Sequence, residues 1–382
     1  MVRFFFMDKT NIVTLFVSGK KYTGWDFVQI DISFNSFARG CQLTATRQSR
    51  SASLCKGIEN GLSAVVKIGD NTVLTGYIIS KEVSYTDKTV NISICIKSKT
   101  IDLEECCIPF GKPHKWVNTN IFIIIKTIAG YYGISAFTQH AETDTATTVD
   151  FSTHETISEG LLKILRNHSL LICDDENGNL VVCASGSNGH ATDDLKFGVN
   201  VLSGKRNHDV SNVFKHYVVI GQSTDPKSEK TKPGNAVNGY SDNDYFPRER
   251  WSVTEQSGNR TAAELQARAG LLATNSVGNA DVLTYSVQGW RQSNGDLWKI
   301  NSLVRVVDPM LDVEQDLLIA KISFRLSNSG GSTTELTLKD KNAFLITDLP
   351  EIEKSKKNVA KNAAKKAPKG TTFLAKAGSG RL

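Results

Sequence analysis

Strict alternation of apolar and polar positions governs the first hundred residues. Val28, Ile30 and Ile32 alternate with Gln29 and Asp31, Cys41, Leu43 and Ala45 keep the same period in CQLTATR, and Val90, Ile92, Ile94 and Ile96 keep it in TVNISICIK. A period of two puts every second side chain on one face, so each stretch predicts a strand with one face buried. NIVTLFVSGKKYTGW predicts a hairpin that turns at Ser18-Gly19-Lys20. Six or so short strands with no helix between them predict a small antiparallel barrel or sandwich.

From Ile101 the period changes. NTNIFIIIKTIAG places Ile121, Ile124, Ile125 and Ile128 at helical spacing behind a polar cap, with Gly130 as a stop. STHETISEGLLKILRNH opens with Ser152 and Glu155 at capping-box spacing and sets Ile157, Leu161, Leu162 and Leu165 on one stripe. LLICDDENGNLVVC predicts a hairpin around Asn177-Gly178. These elements predict a compact α/β unit. Strands return near residue 200 (SNVFKHYVVIGQS), and residues 222–250 form a long polar excursion. TAAELQARAGLLATN predicts a helix of three to four turns, and from Val282 strands continue to Phe344.

One piece of this pattern occurs twice. Val65, Val66, Lys67, Ile68 and Asp70 match Leu303, Val304, Arg305, Val306 and Asp308 at an offset of 238. Past a loop six residues longer in the second copy, Leu74, Gly76, Ile78 and Lys81 match Leu318, Ala320, Ile322 and Arg325 at an offset of 244. That offset runs on without a gap from Thr89, Ile92, Ser93 and Ile94 to Thr333, Leu336, Thr337 and Leu338. The fold expected is therefore α+β, mainly β, with two similar small antiparallel β-barrel domains, an α/β domain between them and a helix-containing insertion. The boundaries expected are 1–104 for the first barrel, 105–199 for the α/β domain, 200–222 with 278–347 for the second barrel, 223–277 for the polar insertion, and 348–382 for a Lys/Ala-rich tail. Two similar units per chain around a three-fold axis make a ring of six, the closed symmetry usual in homo-oligomers.

Charge changes the picture only at one end. The 382 residues carry a formal net charge of +6, yet residues 351–382 alone hold nine basic and two acidic side chains. The remainder is close to neutral. Lys354, Lys356, Lys357, Lys361, Lys365, Lys366 and Lys369 can neutralise phosphates, whereas the lone aromatic Phe373 offers almost no stacking platform for bases. A solvated terminus, docking on an acidic neighbour, and a nucleic-acid-binding protein acting through this tail all remain open. The seven cysteines (Cys41, Cys55, Cys95, Cys106, Cys107, Cys173 and Cys183) form no CxxC pair, which predicts a reduced compartment without structural disulfides. No run of 18 or more apolar residues occurs, and Phe4-Phe5-Phe6 lacks the long apolar region of a secretory signal. Synthesis in the cytoplasm without export is expected.

Candidate chemistry is sparse. His154 and His168 lie fourteen residues apart and so far apart along a helix; no HExxH and no Cys/His cluster occurs. The glycines of SGSNG (185–189) and SNSGG (327–331) read as turns, not phosphate loops. CDDENGN (173–179) lacks the spaced ligands of a calcium loop and reads as a hairpin tip. Glu104-Glu105 sit in a strand-to-helix linker, with nothing to hold them as a glycosidase pair. Trp25, Trp290 and Trp298 are expected in cores, and Trp116 is expected to anchor the linker that enters the middle domain. No catalytic, cofactor-binding or metal-binding residue is assigned.

The stretches that carry the duplication also carry a resemblance. VSGKKYTGWDFVQI (17–30), VLTGYIISKEVSY (73–85) and the run from VRVVDP through LLIAKISFRLSNSGGSTTELTL to NAFL (304–345) resemble the baseplate hub proteins of Mu-like contractile-tailed phages, the tail protein P family. CCIPFGKPHKWVNTNIFIIIKTIAGYYGI and TISEGLLKILRNHSLLICDDENGNLVV fit in order and spacing. The architecture is similar to the hub of T-even phages and to the hub part of type VI secretion spikes. The resemblance implies a homotrimer, without enzyme activity, cofactor or small-molecule substrate. It further implies a pseudo-six-fold barrel ring around a channel that DNA only passes through. Its partners would be the hexameric tail tube protein, the trimeric central spike protein and other baseplate proteins. Its place would be the virion tail, assembled in the bacterial host cytoplasm. The Lys/Ala tail and residues 222–250 have no place in the family pattern.

Overall fold

Ser18 and Gly19 both take positive φ, 47° and 75°, the conformation that lets a two-residue turn match the twist of its flanking strands. They join β1 (Val13–Val17) to β2 (Lys20–Tyr22). This is the first hairpin in a computed structural model that describes residues 9–34, 36–48, 57–139, 145–167, 170–222, 236–244, 246–259, 261–328 and 330–344. Five more strands follow: β3 (Phe27–Ser33), β4 (Gly40–Gln48), β5 (Ser63–Ile68), β6 (Asn71–Tyr85) and β7 (Thr89–Ser98). They lie in the order β3-β4-β7-β6-β5-β1-β2. The alternation read from the sequence is the alternation of burial: Val28, Ile30, Cys41, Leu43, Ile92, Ile94 and Ile96 all face one core.

The middle region gathers α1 (Ile101–Glu105), β8 (Lys115–Asn120), α2 (Ile121–Gly130), β9 (Ala136–Thr138), β10 (Thr145–Asp150), α3 (Ile157–Asn167), β11 (Leu171–Asp174) and β12 (Leu180–Cys183). Asn120 caps α2 through its side-chain oxygen, which accepts from the amides of Phe122 and Ile123. All four predicted isoleucines of α2 are buried, and they meet Ile157, Leu161, Ile164 and Leu165 of α3. The capping box of α3 is one turn later than expected: Thr156 and Glu159 exchange the two bonds, while Glu155 accepts from the Ser152 amide in the turn before. Glu104 and Glu105 lie in α1 rather than in a linker, and Leu103 belongs to the middle core, so this helix does not close the first strand unit.

Beyond the middle region come β13 (Leu195–Lys196), β14 (Val201–His208), β15 (His216–Gln222), β16 (Ala236–Asp242), β17 (Trp251–Asn259), α4 (Ala262–Ala280), β18 (Asp281–Gln288), β19 (Leu303–Asp308), β20 (Val313–Ser327) and β21 (Gly331–Lys339). Strand β15 was expected in the second barrel, but it pairs with β16 and β17 in a sheet of its own. The polar excursion therefore supplies a strand, and α4 covers one face of this small sheet. Gly239 makes that close approach possible, since a Cβ there would lie 2.0 Å from the Leu265 carbonyl carbon. The helix runs to 19 residues, capped by a Thr261/Glu264 box. Strand β13, expected in the middle region, pairs instead with β19.

The protein is mainly β, and the two strand units are not separate sheets. Strand β20 pairs with β3 from Lys321↔Ser33 to Ser327↔Phe27, which joins both units into one thirteen-stranded sheet ending at β14 on one side and β2 on the other. The repeated piece is the antiparallel series β5-β6-β7 and β19-β20-β21. In each, the central strand is fifteen residues long and bulges against its successor, at Ile79 in one and Ala320 in the other. Aligning the bulges corrects the register read from sequence. The offset is 241 across β6 and β20, not 244, and the connecting turn grows from two residues (69–70) to four (309–312). Across β5 and β19 the offset is 240, not 238, so Ile68 matches Asp308, and across β7 and β21 it is 242, not 244. Period-two patterns match at any even slip, which is why the sequence alignment missed both flanking strands by two residues.

Candidate functional site

The densest group of titratable side chains sits on the open face of the small sheet, at the His216 end of β15. Strand register brings Asp242 of β16 and Trp251 of β17 to either side of His216. The imidazole meets Asp242 through Nδ1 and Glu249 through Nε2, the latter at 2.7 Å. The Tyr240 hydroxyl lies 2.7 Å from Nδ1, Trp251 stacks on the ring at 4.2 Å, and Lys215 pairs with Glu249. Two carboxylates on the two ring nitrogens require two N–H donors, so the ring is held as imidazolium. The bond to Glu249, with that to Asp242, raises the pKa of His216 above its ordinary value despite some desolvation. The hydrogen bond with Asp242 pushes Tyr240 up to about 12. An imidazolium with both nitrogens donating has no lone pair for a metal or a substrate proton. The cluster staples three strands. Sequence reading missed it because its members come from three strands and the loop before the last.

A second ion pair is buried. Arg39, in the turn before β4, donates from Nε to Asp174 Oδ1 and Oδ2 at 3.1 and 3.0 Å, and its other nitrogens reach the carbonyls of Val73 and Asp174. It ties the first strand unit to the tip strand of the middle region. Burial pushes the Asp174 carboxyl upward against the pull of Arg39. With each guanidinium nitrogen bonded and both side chains buried, this is a joint between regions.

The residues singled out in the sequence scatter. His154 is exposed and bonded to Thr153, while His168 lies outside the described residues. Asp175 in CDDENGN accepts from the amides of Asn177 and Asn179, and Gly178 takes positive φ, so the acidic run is a hairpin tip. Gly186, Gly189 and Gly330 lie in turns, and Gly331 opens β21. Trp290 and Trp298 are buried in the main core with Trp25 packed against it. Trp116 lies in β8, edge-on to Phe151 in the middle core. Cys173 and Cys183 face each other across β11 and β12 with sulfurs 3.5 Å apart, unbridged; Cys55 is outside the described residues. Among the described residues no group of three or more His, Cys, Asp and Glu side chains is placed to hold a metal. No helix among them is long and apolar enough to cross a membrane. The Lys-rich tail lies outside them.

What remains is surface. Along β6, Val83 is 50% exposed and Tyr85 82%, both beyond the point where β5 stops pairing. The corresponding stretch of β20 is covered by β3. There Ser323 Oγ donates to Asp31, and Lys321 lies 3.3 Å from the same carboxylate. Burial pushes Asp31 up, but the bonds from Ser323 and Gln29 and the Lys321 charge outweigh it and hold the group below the usual carboxylate range.

Three stretches of the chain match domains of known proteins. Residues 12–96 match the N-terminal domain of the Mu phage baseplate assembly protein GpP-like family, and residues 261–347 match the fourth domain of the Mu phage baseplate assembly protein GpP. Residues 100–184 match the second domain of the baseplate hub protein gp44-like family. The chain belongs to the Mu-like baseplate hub family. It is 26% identical over 364 residues to the baseplate hub protein gp44 of Escherichia phage Mu, an alignment covering 91% of this chain and 92% of that one. The fold is similar to that of a 43 kDa tail protein from the MuSo2 prophage of Shewanella oneidensis, with a TM-score of 0.78 and 24% identity over 88% of this chain and all of that one. It is also similar, at a TM-score of 0.53 and 9% identity over 88% of this chain and 80% of the other, to an Escherichia coli type VI secretion component. That component is itself described as structurally similar to the T4 tail proteins gp27 and gp5. As a Mu-like hub protein the chain has a structural role in a phage tail baseplate.

Proposed function

We propose that this hub protein is a homotrimer at the centre of a contractile tail, where six strand units, two from each copy, form a ring between the hexameric tail tube and the trimeric central spike. The observation that carries this reading is the repetition of β5-β6-β7 as β19-β20-β21 in one chain, joined edge to edge by β3 and β20. Two like units per chain let three copies present six-fold symmetry to one partner and three-fold symmetry to the other. DNA only passes through the channel, and the protein assembles in the host cytoplasm before it enters the virion. It works by packing surfaces, without catalysis, cofactor or small-molecule substrate. The titratable cluster around His216 supports this, because its members are engaged with one another.

Light scattering of the purified chain tests the reading. A mass near three times 41.8 kDa at both low and high salt is expected, because packed strand interfaces survive screening. Removing residues 351–382 should leave the number of chains per particle unchanged. A monomer at every concentration and salt, in the presence of the spike as well as alone, overturns the trimer.

A further inference from the structure

The internal repeat contains, within one chain, the junction that should recur between chains. In the first unit the strand order is β3-β4-β7-β6-β5, and in the second it is β14-β18-β21-β20-β19. Position by position, β3 corresponds to β14 and β6 to β20. Inside the chain, β3 lies along the free half of β20. Its counterpart β14 ends the sheet, and among the described residues the stretch Val83–Tyr85 of β6 has β7 as its one strand neighbour. Among the described residues, the repeat thus leaves one donor strand and one acceptor edge over.

The side chains fit the same conclusion. Phe324 and Leu326 of β20 pair with Ile30 and Val28 of β3, and Phe324 is 1% exposed. Aligned on the bulges, Val83 and Tyr85 hold the places of Phe324 and Leu326. Both are exposed, and among the described residues of their own copy no strand occupies the place of β3. Across the sheet, the places of Ile30 and Val28 fall on Arg206 and Gly204 of β14. At Gly204 an inward Cβ would meet the Tyr285 ring at 2.8 Å, so the backbone of β14 lies directly on that ring and presents no side chain of its own there. An exposed edge carrying apolar side chains is a site for strand addition.

We propose that β14 of each copy adds antiparallel to the segment Ser80–Tyr85 of the next copy's β6, with Val83 opposite Arg206, Ser84 opposite Lys205 and Tyr85 opposite Gly204. This rests on the trimeric reading above and names the surface that makes it. Lys205 is then diagonal to Glu82, which repeats with charges exchanged the diagonal pairing of Lys321 and Asp31 in the internal junction. Three such contacts and three internal ones close the ring and leave none of these edges free.

The test pairs a cross-link with a mass. In the full chain carrying Ser84→Cys and Lys205→Cys, oxidation, or a short bis-maleimide where sulfur geometry prevents a disulfide, is expected to give covalent dimers and trimers on a reducing-agent-free gel. Neither single variant should exceed the background of the native thiols. A chain that is trimeric by light scattering yet shows no cross-link above the single variants overturns the strand junction and leaves the trimer standing. A chain monomeric throughout overturns both. As a second measurement, Val83→Lys with Tyr85→Lys should lower the mass from three chains to one while circular dichroism stays unchanged, since both side chains are exposed in the single chain. Retention of the full trimer by that variant overturns the proposal.

Discussion

Strands β6 and β20 hold the same place in two copies of one unit, with the same length and a bulge at matching positions, and yet their outer halves meet opposite surroundings. Phe324 on β20 is 1% exposed beneath β3, while Val83 at the matching place on β6 is 50% exposed. The backbone is common to both, so burial here is set by the neighbour along the edge and not by the strand itself. A second pair of matched positions differs in chemistry. Where β5 buries Ile68, β19 buries Asp308, whose carboxylate accepts from the Tyr285 hydroxyl at 3.1 Å and from the amides of Met310 and Leu311. The longer turn after β19 presents those two amides, and the carboxylate satisfies them. In the first unit a two-residue turn leaves no such donors, and an apolar side chain suffices.

The largest effect expected from this comparison is at Phe324. Phe324→Ala should lower unfolding free energy by about 3–5 kcal/mol, as loss of a packed aromatic does. Val83→Ala in the dilute, isolated chain should stay within about 0.5 kcal/mol of the parent. Urea unfolding of both variants decides it, and equal losses would break the equivalence of the two strands.

Asp308→Ala comes next. It leaves a buried hydroxyl and two amides without an acceptor, a loss of about 1–3 kcal/mol, read from the same unfolding curves. A neutral outcome would mean that the turn does not depend on its carboxylate.

The smallest effect lies outside both copies, at His216. Its folded pKa is raised, so its clamp contributes stability in full below the unfolded value of about 6.5 and loses it as pH rises through the higher folded value. The thermal midpoint should therefore fall slightly more between pH 6 and pH 9 in the parent than in His216→Gln. Identical pH profiles would show that the staple carries no charge.

Much of this was legible in the chain before any coordinates. The alternation in 28–32, 41–45 and 90–96, the Ile stripe of α2 and the Asn177-Gly178 hairpin each follow from local periodicity or turn stereochemistry, which act over a few residues. The first failures came where two local solutions compete. Ser152/Glu155 and Thr156/Glu159 both have capping-box spacing, and packing of α3 against α2 chose the second. Strand β15 has the pattern of any half-buried strand, and nothing local says which sheet it joins.

The candidate surface was less legible than the fold. Val83 and Tyr85 read as the apolar positions of one more strand, and only the path of β3 along β20 reveals that no described strand fills the matching place beside them. The Arg39–Asp174 joint and the His216 staple join hydrogen-bonded residues 135 and up to 34 positions apart, and no spacing rule links such pairs. The sequence by itself determined the strand and helix periods, the duplicated unit and the basic tail, because each is written in neighbouring residues. Tertiary structure alone decided the register of the repeat, the joining of two units into one sheet and the edge left open. A strand's hydrogen-bonding edges are the same whatever its side chains, so only the folded chain selects which edges are filled.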